Sequence, residues 1–208
     1  MSTREKIIEV SLELFAQRGF SGSSVRDIAK AVGVRESALY KHFKNKQDIL
    51  EQIIIEMQKR IKNMYVEQQV PEGVREDVAV GYEELSQERL KDISWQIFCL
   101  YTKDPMVSNY RKLLMREMLL SEHIADLYSE AFMMGVLKRQ GNIFAKLMES
   151  GMFREEEAEI VALHFYGPIF MLFQQYDCCP EQEEAIKCML EKHVEAFGRS
   201  YTNHEKRK

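Results

Sequence analysis

Apolar residues recur along this chain at helical spacing. Ile8, Leu12 and Phe15 fall at i, i+4 and i+7, with Ile7 and Leu14 on the adjacent rows. Leu50, Ile53, Ile54, Met57, Ile61 and Met64 form a second stripe. Val161, His164, Phe165, Pro168 and Leu172 form a third, and Ile186, Met189, Leu190, His193, Val194 and Phe197 a fourth. Period-two alternation is sustained nowhere, and no Asn-Gly or Asp-Gly hairpin signal occurs. The pattern predicts an all-α fold.

Punctuation divides the helices. Ser2 with Glu5 has the spacing of a capping box, and so has Ser24 with Asp27. Gly19 ends the first helix and Gly33 marks a tight turn after the second, about 25–31. A short third helix covers roughly 35–42, and Asn45 with Asp48 caps a long fourth, to about residue 68. Pro71-Glu72-Gly73 breaks the chain. Helices then read as about 74–89, 91–102, 105–119, 122–150, 155–176 and 181–199. Gly151 closes the longest of these, and Pro168 is expected to kink the next. The tail, NHEKRK, is expected to fray.

Composition narrows the class. The 208 residues are 45% hydrophobic and 30% charged, as in a globular protein of one large domain or two smaller ones. No apolar run approaches the ~18 residues of a membrane span, and the charged N-terminus is not a secretory signal. A cytoplasmic protein without a membrane partner is expected. Charge is unevenly shared. Residues 1–50 hold nine Lys and Arg against six Asp and Glu, while the remaining 20 cations face 27 acids. A basic head on an acidic body suggests two jobs.

The informative stretch is SSVRDIAKAVGVRESALYKHFKNKQDIL, residues 23–50. A helix–turn–helix needs a small residue where its helices touch, supplied by Ala29. It also needs a turn position that tolerates left-handed backbone, supplied by Gly33. Val25, Ile28, Val32, Val34 and Leu39 line the inward faces. The second helix then turns Arg35, Glu36, Ser37, Tyr40, Lys41 and His42 outward, which serves no packing purpose but suits a DNA major groove.

Ile28-Ala29, Gly33-Val34, Leu39-Tyr40, His42-Phe43, Lys46 and Leu50 resemble the signature of TetR-type (tetracycline-repressor-like) transcriptional regulators. LELFAQRGFSGSSVRDIA, residues 12–29, is similar to the family's first helix and its exit. The resemblance is close over residues 4–52. It implies a three-helix DNA-binding head, 1–46, joined by helix 4 to a larger ligand-binding and dimerisation body, 47–208. It also implies that Lys46, Tyr40 and His42 touch the DNA backbone. Thr3 and Arg4 would pin the first helix to the backbone, and Ser24 and Arg26 the second. Lys41 and Ser37 are better placed for base edges. Two positions depart from the family pattern. Arg35 replaces a small cap such as Ser, and Ala38 replaces Thr or Ser. Arg35 would then reach a guanine or phosphate itself.

The body is rich in Met and aromatic residues. Trp95, Tyr101, Tyr128 and Phe132, with His164 and Tyr166 as polar handles, are the candidate ligand-pocket residues; the other reading of each is plain core. The last two helices, within 155–199, are the dimerisation candidates, with Gly167 permitting close helix approach. No Glu-x-x-His or His-x-x-x-His pair, Gly-rich phosphate loop or Gly-x-Ser-x-Gly elbow occurs, so neither a metal, a cofactor nor an enzyme activity is expected. Cys178-Cys179 falls in an expected loop, read either as inert thiols or as an oxidant or soft-metal sensor.

The resulting expectation is a homodimeric regulator, a repressor of a palindromic operator released by a small apolar or amphipathic ligand. The alternatives are a helical ligand carrier or enzyme body with a vestigial DNA-binding head, and an architectural DNA-binding protein with no ligand. Intact Tyr40, Lys41 and Lys46 argue against the vestigial head.

Overall fold

A computed structural model describes residues 1–67 and 87–203, with side chains described over 1–63 and 88–203. The expected helix at 74–89 falls almost wholly outside the described residues, as does most of the tail. Among the described residues the fold is all helix, apart from an isolated antiparallel bridge between Phe153 and Thr202. The helices are α1 (Thr3–Arg18), α2 (Val25–Val32), α3 (Glu36–Leu39), α4 (Lys46–Glu67), α5 (Gln87–Lys103), α6 (Pro105–Glu117), α7 (Glu122–Phe132), α8 (Met134–Glu149), α9 (Ala158–Cys178) and α10 (Glu183–Tyr201). A single 3₁₀ turn, Pro180–Gln182, precedes α10. The chain divides into two compact units, residues 1–64 with 103–128 and residues 65–102 with 129–208.

In the first unit, α1 to α4 form where the local signals place them. Ser2 and Ser24 each close a reciprocal capping box, with Glu5 and Asp27. Gly33 holds left-handed backbone at φ 82° and ψ 32°, and the amides of Gly33 and Val34 both return to the Ala29 carbonyl. Lys6 donates to the Val32 carbonyl at 3.0 Å, placing a cation on the C-terminal end of α2. Asn45 accepts from the Asp48 amide, and the Asp48 carboxylate accepts from the Lys44 amide. Ile7, Leu12, Phe15, Ile28, Leu39, Ile49 and Ile53 make the fully buried centre. Residues from far along the chain complete this unit. α6 packs on α1. Asp104 caps α6 with one carboxylate oxygen, accepting from the Met106 and Val107 amides, and its other oxygen pairs with Arg60 of α4 at 2.6 Å.

The second unit is built around aromatic side chains. Ile143, Phe144, Leu147, Val161, Ala162 and Phe197 form one core, with Phe153, Phe165 and Tyr201 against it. α9 runs through Pro168 without a break, and the expected Cys178 loop position is instead its last residue. Lys91 of α5 pairs with Glu88 at 2.7 Å and with Glu195 of α10 at 3.0 Å, and the two carboxylates hold its ammonium well above the ordinary lysine range.

One expected element is two. The helix expected at 122–150 is α7 and α8, parted at Met133, whose φ −132° and ψ −100° are not helical. The chain doubles back so closely that a Cβ on Gly135 would lie 2.0 Å from the Glu130 carbonyl oxygen. Beside the break, the Tyr166 hydroxyl donates to the Phe132 carbonyl at 2.9 Å.

Candidate nucleic-acid interface

The interface follows from how little α3 can bury. It has four helical residues, and Leu39 is its one buried side chain. Around it, Thr3, Ser24, Arg26, Arg35, Glu36, Ser37, Lys41 and His42 are all exposed, and Tyr40 retains 55% of its surface. Arg26, Arg35 and Lys41 are three exposed cations, and Glu36 is an exposed acid. The α3 helix is shorter than the expected 35–42, with turns rather than helix from Tyr40 to His42. Arg35 occupies its N-cap position with extended backbone and makes no side-chain cap bond. The exposed guanidinium is therefore not spent on the cap.

The capping of α2 sets the other edge. The Ser24 hydroxyl accepts from the Asp27 amide at 3.1 Å and donates to the Asp27 carboxylate at 2.5 Å. Those Ser24 hydrogen bonds, side-chain first and backbone next, hold the Asp27 carboxyl below its ordinary value. Ser24 thus closes the cap while its surface stays exposed, and the exposed Arg26 lies beside it in the first turn.

Two residues placed at the interface from sequence are engaged elsewhere. The Arg4 guanidinium pairs with Glu56 at 2.9 Å and Gln52 at 2.7 Å on α4, and lies over the Phe43 ring. It clamps α1 to α4. The half-buried Lys46 donates to the carbonyls of Phe20 and Ser23, both at 2.9 Å, with its ammonium 4.2 Å from the centre of the Phe20 ring. An ammonium has three N–H donors, so one remains for a phosphate.

The candidate pocket residues separate. Trp95 stacks on Phe98, Phe98 meets Phe173, and Phe173 meets Tyr101, with neighbouring centroids 5.3–5.7 Å apart. Tyr101 stands edge-on to Phe132, which Tyr166 binds through its hydroxyl. Trp95, Tyr101, Phe132 and Tyr166 are therefore joined in one aromatic chain in the second unit. Tyr128 is buried and belongs to the first unit. His164 is exposed on α9, with its Nδ1 against the Tyr201 hydroxyl. Among the described residues, no cluster of three or more His, Cys, Asp and Glu side chains is arranged to hold a metal ion, and no helix is long and apolar enough to cross a membrane.

Sequence reasoning missed Arg116 and Glu117, at the end of α6. The Phe20 amide donates to Glu117 Oε1 at 3.0 Å, and Arg116 donates to the Gln17 carbonyl at 3.0 Å. The only local trace of this contact is Gly19, with φ 80°, where a Cβ would lie 2.9 Å from Glu117 Oε1.

Residues 7–53 match the family model described as bacterial regulatory proteins, tetR family. The chain is 49% identical over 51 residues to the HTH-type transcriptional regulator AcrR of Shigella flexneri, a match covering 24% of each chain. It is 39% identical over 51 residues to the negative transcriptional regulator IcaR of Staphylococcus aureus, covering 24% of this chain and 27% of that one. The matched stretch thus spans about a quarter of these relatives' length. Two solved structures extend the likeness to the whole fold. SmeT, the repressor of the Stenotrophomonas maltophilia multidrug efflux pump SmeDEF, superposes with a TM-score of 0.63 at 19% identity, covering 99% of this chain and 93% of that one. FadR from Bacillus subtilis, in complex with stearoyl-CoA, gives 0.64 at 21%, covering 93% and 96%. Residues 7–53 thus match the tetR family of bacterial regulatory proteins in sequence, and the chain as a whole has the fold seen in TetR-family transcriptional regulators.

Proposed function

We propose that this protein is a cytoplasmic, homodimeric DNA-binding transcriptional regulator, a repressor that a small apolar or amphipathic ligand releases from its operator. The observation that carries the reading is α3. Its one buried side chain is a leucine, and exposed Arg35 on one side and Tyr40, Lys41 and His42 on the other flank it, within the stretch that matches the tetR-family model. Residues 1–46 read DNA, through Thr3, Ser24, Arg26, Arg35, Glu36, Ser37, Tyr40, Lys41 and His42, with Arg4 and Lys46 holding the head in shape. Residues 47–208 bind the effector and the second copy.

Support for an apolar effector comes from the aromatic chain of Trp95, Tyr101, Phe132 and Tyr166, and from the likeness to SmeT, solved in complex with triclosan, and to FadR. Support for the dimer comes from α9. Its outer side exposes Ile160, Leu163 at 50% and Met171 at 62%, around Gly167, an apolar stripe more than ten residues long. Two such faces related by a two-fold axis bury each other and present two heads to a palindromic site.

The test is selection of duplexes from a random-sequence pool by the full-length protein, followed by gel shift. A palindromic sequence is expected, with half-sites about one helical turn apart. Arg35→Ala and Lys41→Ala should change the preferred bases. Arg26→Ala should weaken all duplexes about equally and lower the salt slope by about 1. Enrichment of no sequence would reject the reading.

A further inference from the structure

We propose that Glu117 is a positioning residue for operator binding, acting through Phe20, and that Lys46 serves the same end from the opposite side of that residue. The inference rests on the DNA-binding reading above. Phe20 sits between an anion and a cation. Its amide donates to Glu117 Oε1 at 3.0 Å, its carbonyl accepts from Lys46 Nζ at 2.9 Å, and its ring lies under the same ammonium. Charge-assisted bonds of this kind are roughly twice as strong as neutral ones.

The loop they hold is short. It leaves α1 at Gly19, and Ser23, which also accepts from Lys46, immediately precedes the α2 cap residue Ser24. Whatever fixes residues 19–23 therefore fixes the N-terminus of α2, and with it Arg26. Arg116 adds a second grip, donating to the Gln17 carbonyl in the last turn of α1, which has no helical partner of its own to spare at that end. A carboxylate on an amide and a guanidinium on a carbonyl, contributed by adjacent residues at the end of α6, are matched to the end of α1. A solvated helix terminus has no need of that match. Lys46 spends two of its three donors on carbonyls of this loop, so it can hold the loop and still offer one donor to a phosphate. Glu117 lies 97 residues from its partner and outside the stretch that matches the family model, so the head's sequence alone does not specify the placement of α2.

The test is a double-mutant cycle in the full-length protein, against the duplex it selects. Glu117→Ala should weaken binding about tenfold. Glu117→Gln, which keeps an oxygen for the Phe20 amide, should recover most of that loss. In an Arg26→Ala background, Glu117→Ala should cost less than twofold, because the contact it positions is already gone. A role in general stability would cost the same in both backgrounds. The exposed Arg116→Ala carries the same cycle if Glu117→Ala does not fold. Wild-type affinity in both single variants, or equal losses with and without Arg26, overturns the inference while the wild type still binds its duplex. Absence of any selected duplex overturns the DNA-binding reading itself.

Discussion

On the proposed DNA-binding reading, Arg35 is the residue at which local stability and recognition conflict. A Ser, Thr, Asp or Asn at the N-cap gives back about 1 kcal/mol by accepting from an amide of the first turn. Arg35 has no acceptor, and α3 is correspondingly short. Arg35→Ser should therefore stabilise the protein by about 1 kcal/mol in denaturant melts while relaxing base preference in duplex selection. Unchanged preference would show that Arg35 reads only phosphate. Asp27 gives a pH-dependent counterpart. Its carboxyl is lowered from 3.8 by Ser24, so the stability it contributes is present above that value and is lost as pH falls through the lowered one. The difference in melting temperature between the wild type and Asp27→Asn should be present at neutral pH and close in strong acid; a difference that persists there would remove Asp27 from the cap. Both caps of this kind were legible in the sequence, because a capping box is a relation between residues three apart. The partners of Lys46 and Glu117 were not, because a carbonyl acceptor can lie on any residue and leaves no mark on composition or spacing.

At the scale of elements, legibility follows the same division between near and far. α1 to α4 stand close to where periodicity and caps put them, since Gly19, Gly33 and Asn45 act on their own neighbours. The break at Met133 was illegible. Met is a good helix former, and a lone Gly135 inside a periodic run reads as tolerated at about 1 kcal/mol. The break goes with a close approach of Gly135 to the Glu130 carbonyl and with a hydrogen bond from Tyr166 of α9 to the Phe132 carbonyl. Gly135→Ala should consequently destabilise rather than help, by about 1–3 kcal/mol, in contrast to a glycine within an open helix. Tyr166→Phe should cost about 1 kcal/mol by removing that hydrogen bond. Chemical denaturation of the two variants measures both, and a stabilised Gly135→Ala would mean that the helix can close across residue 133.

Over the whole molecule, the proposed regulation needs its sites to act together, and particular variants separate them. Phe197 has the periodicity of an interface residue, but at 8% exposure it belongs to its own protomer's core, so Phe197→Glu would unfold the second unit rather than split a dimer. Gly167 is the better probe. A Cβ there meets nothing within 4 Å, so Gly167→Leu leaves the protomer intact and should yield folded monomers with weakened operator binding. A stable dimer on sizing columns would move the interface elsewhere. The remaining question is whether effector and operator oppose each other. α4 begins at Lys46, which holds the α1–α2 loop, and through Arg60 it is tied to Asp104 at the start of α6, whose far end grips that same loop. A ligand that displaces α4 or α6 is therefore expected to displace α2, within the unit that holds the proposed DNA-contacting residues. A coupling of about 1–3 kcal/mol, roughly 5- to 150-fold in affinity, is enough. Linkage makes it reciprocal, so the selected duplex must weaken the ligand by the factor by which the ligand weakens the duplex. Calorimetric titration of a hydrophobic ligand such as triclosan or a long-chain acyl-CoA, with and without saturating duplex, measures that factor directly. The same titration on Glu117→Ala should return a smaller factor, because one of the two ties to the head has been cut. Equal ligand affinity with and without duplex in the wild type would separate the two sites and leave a DNA-binding protein that the ligand does not switch.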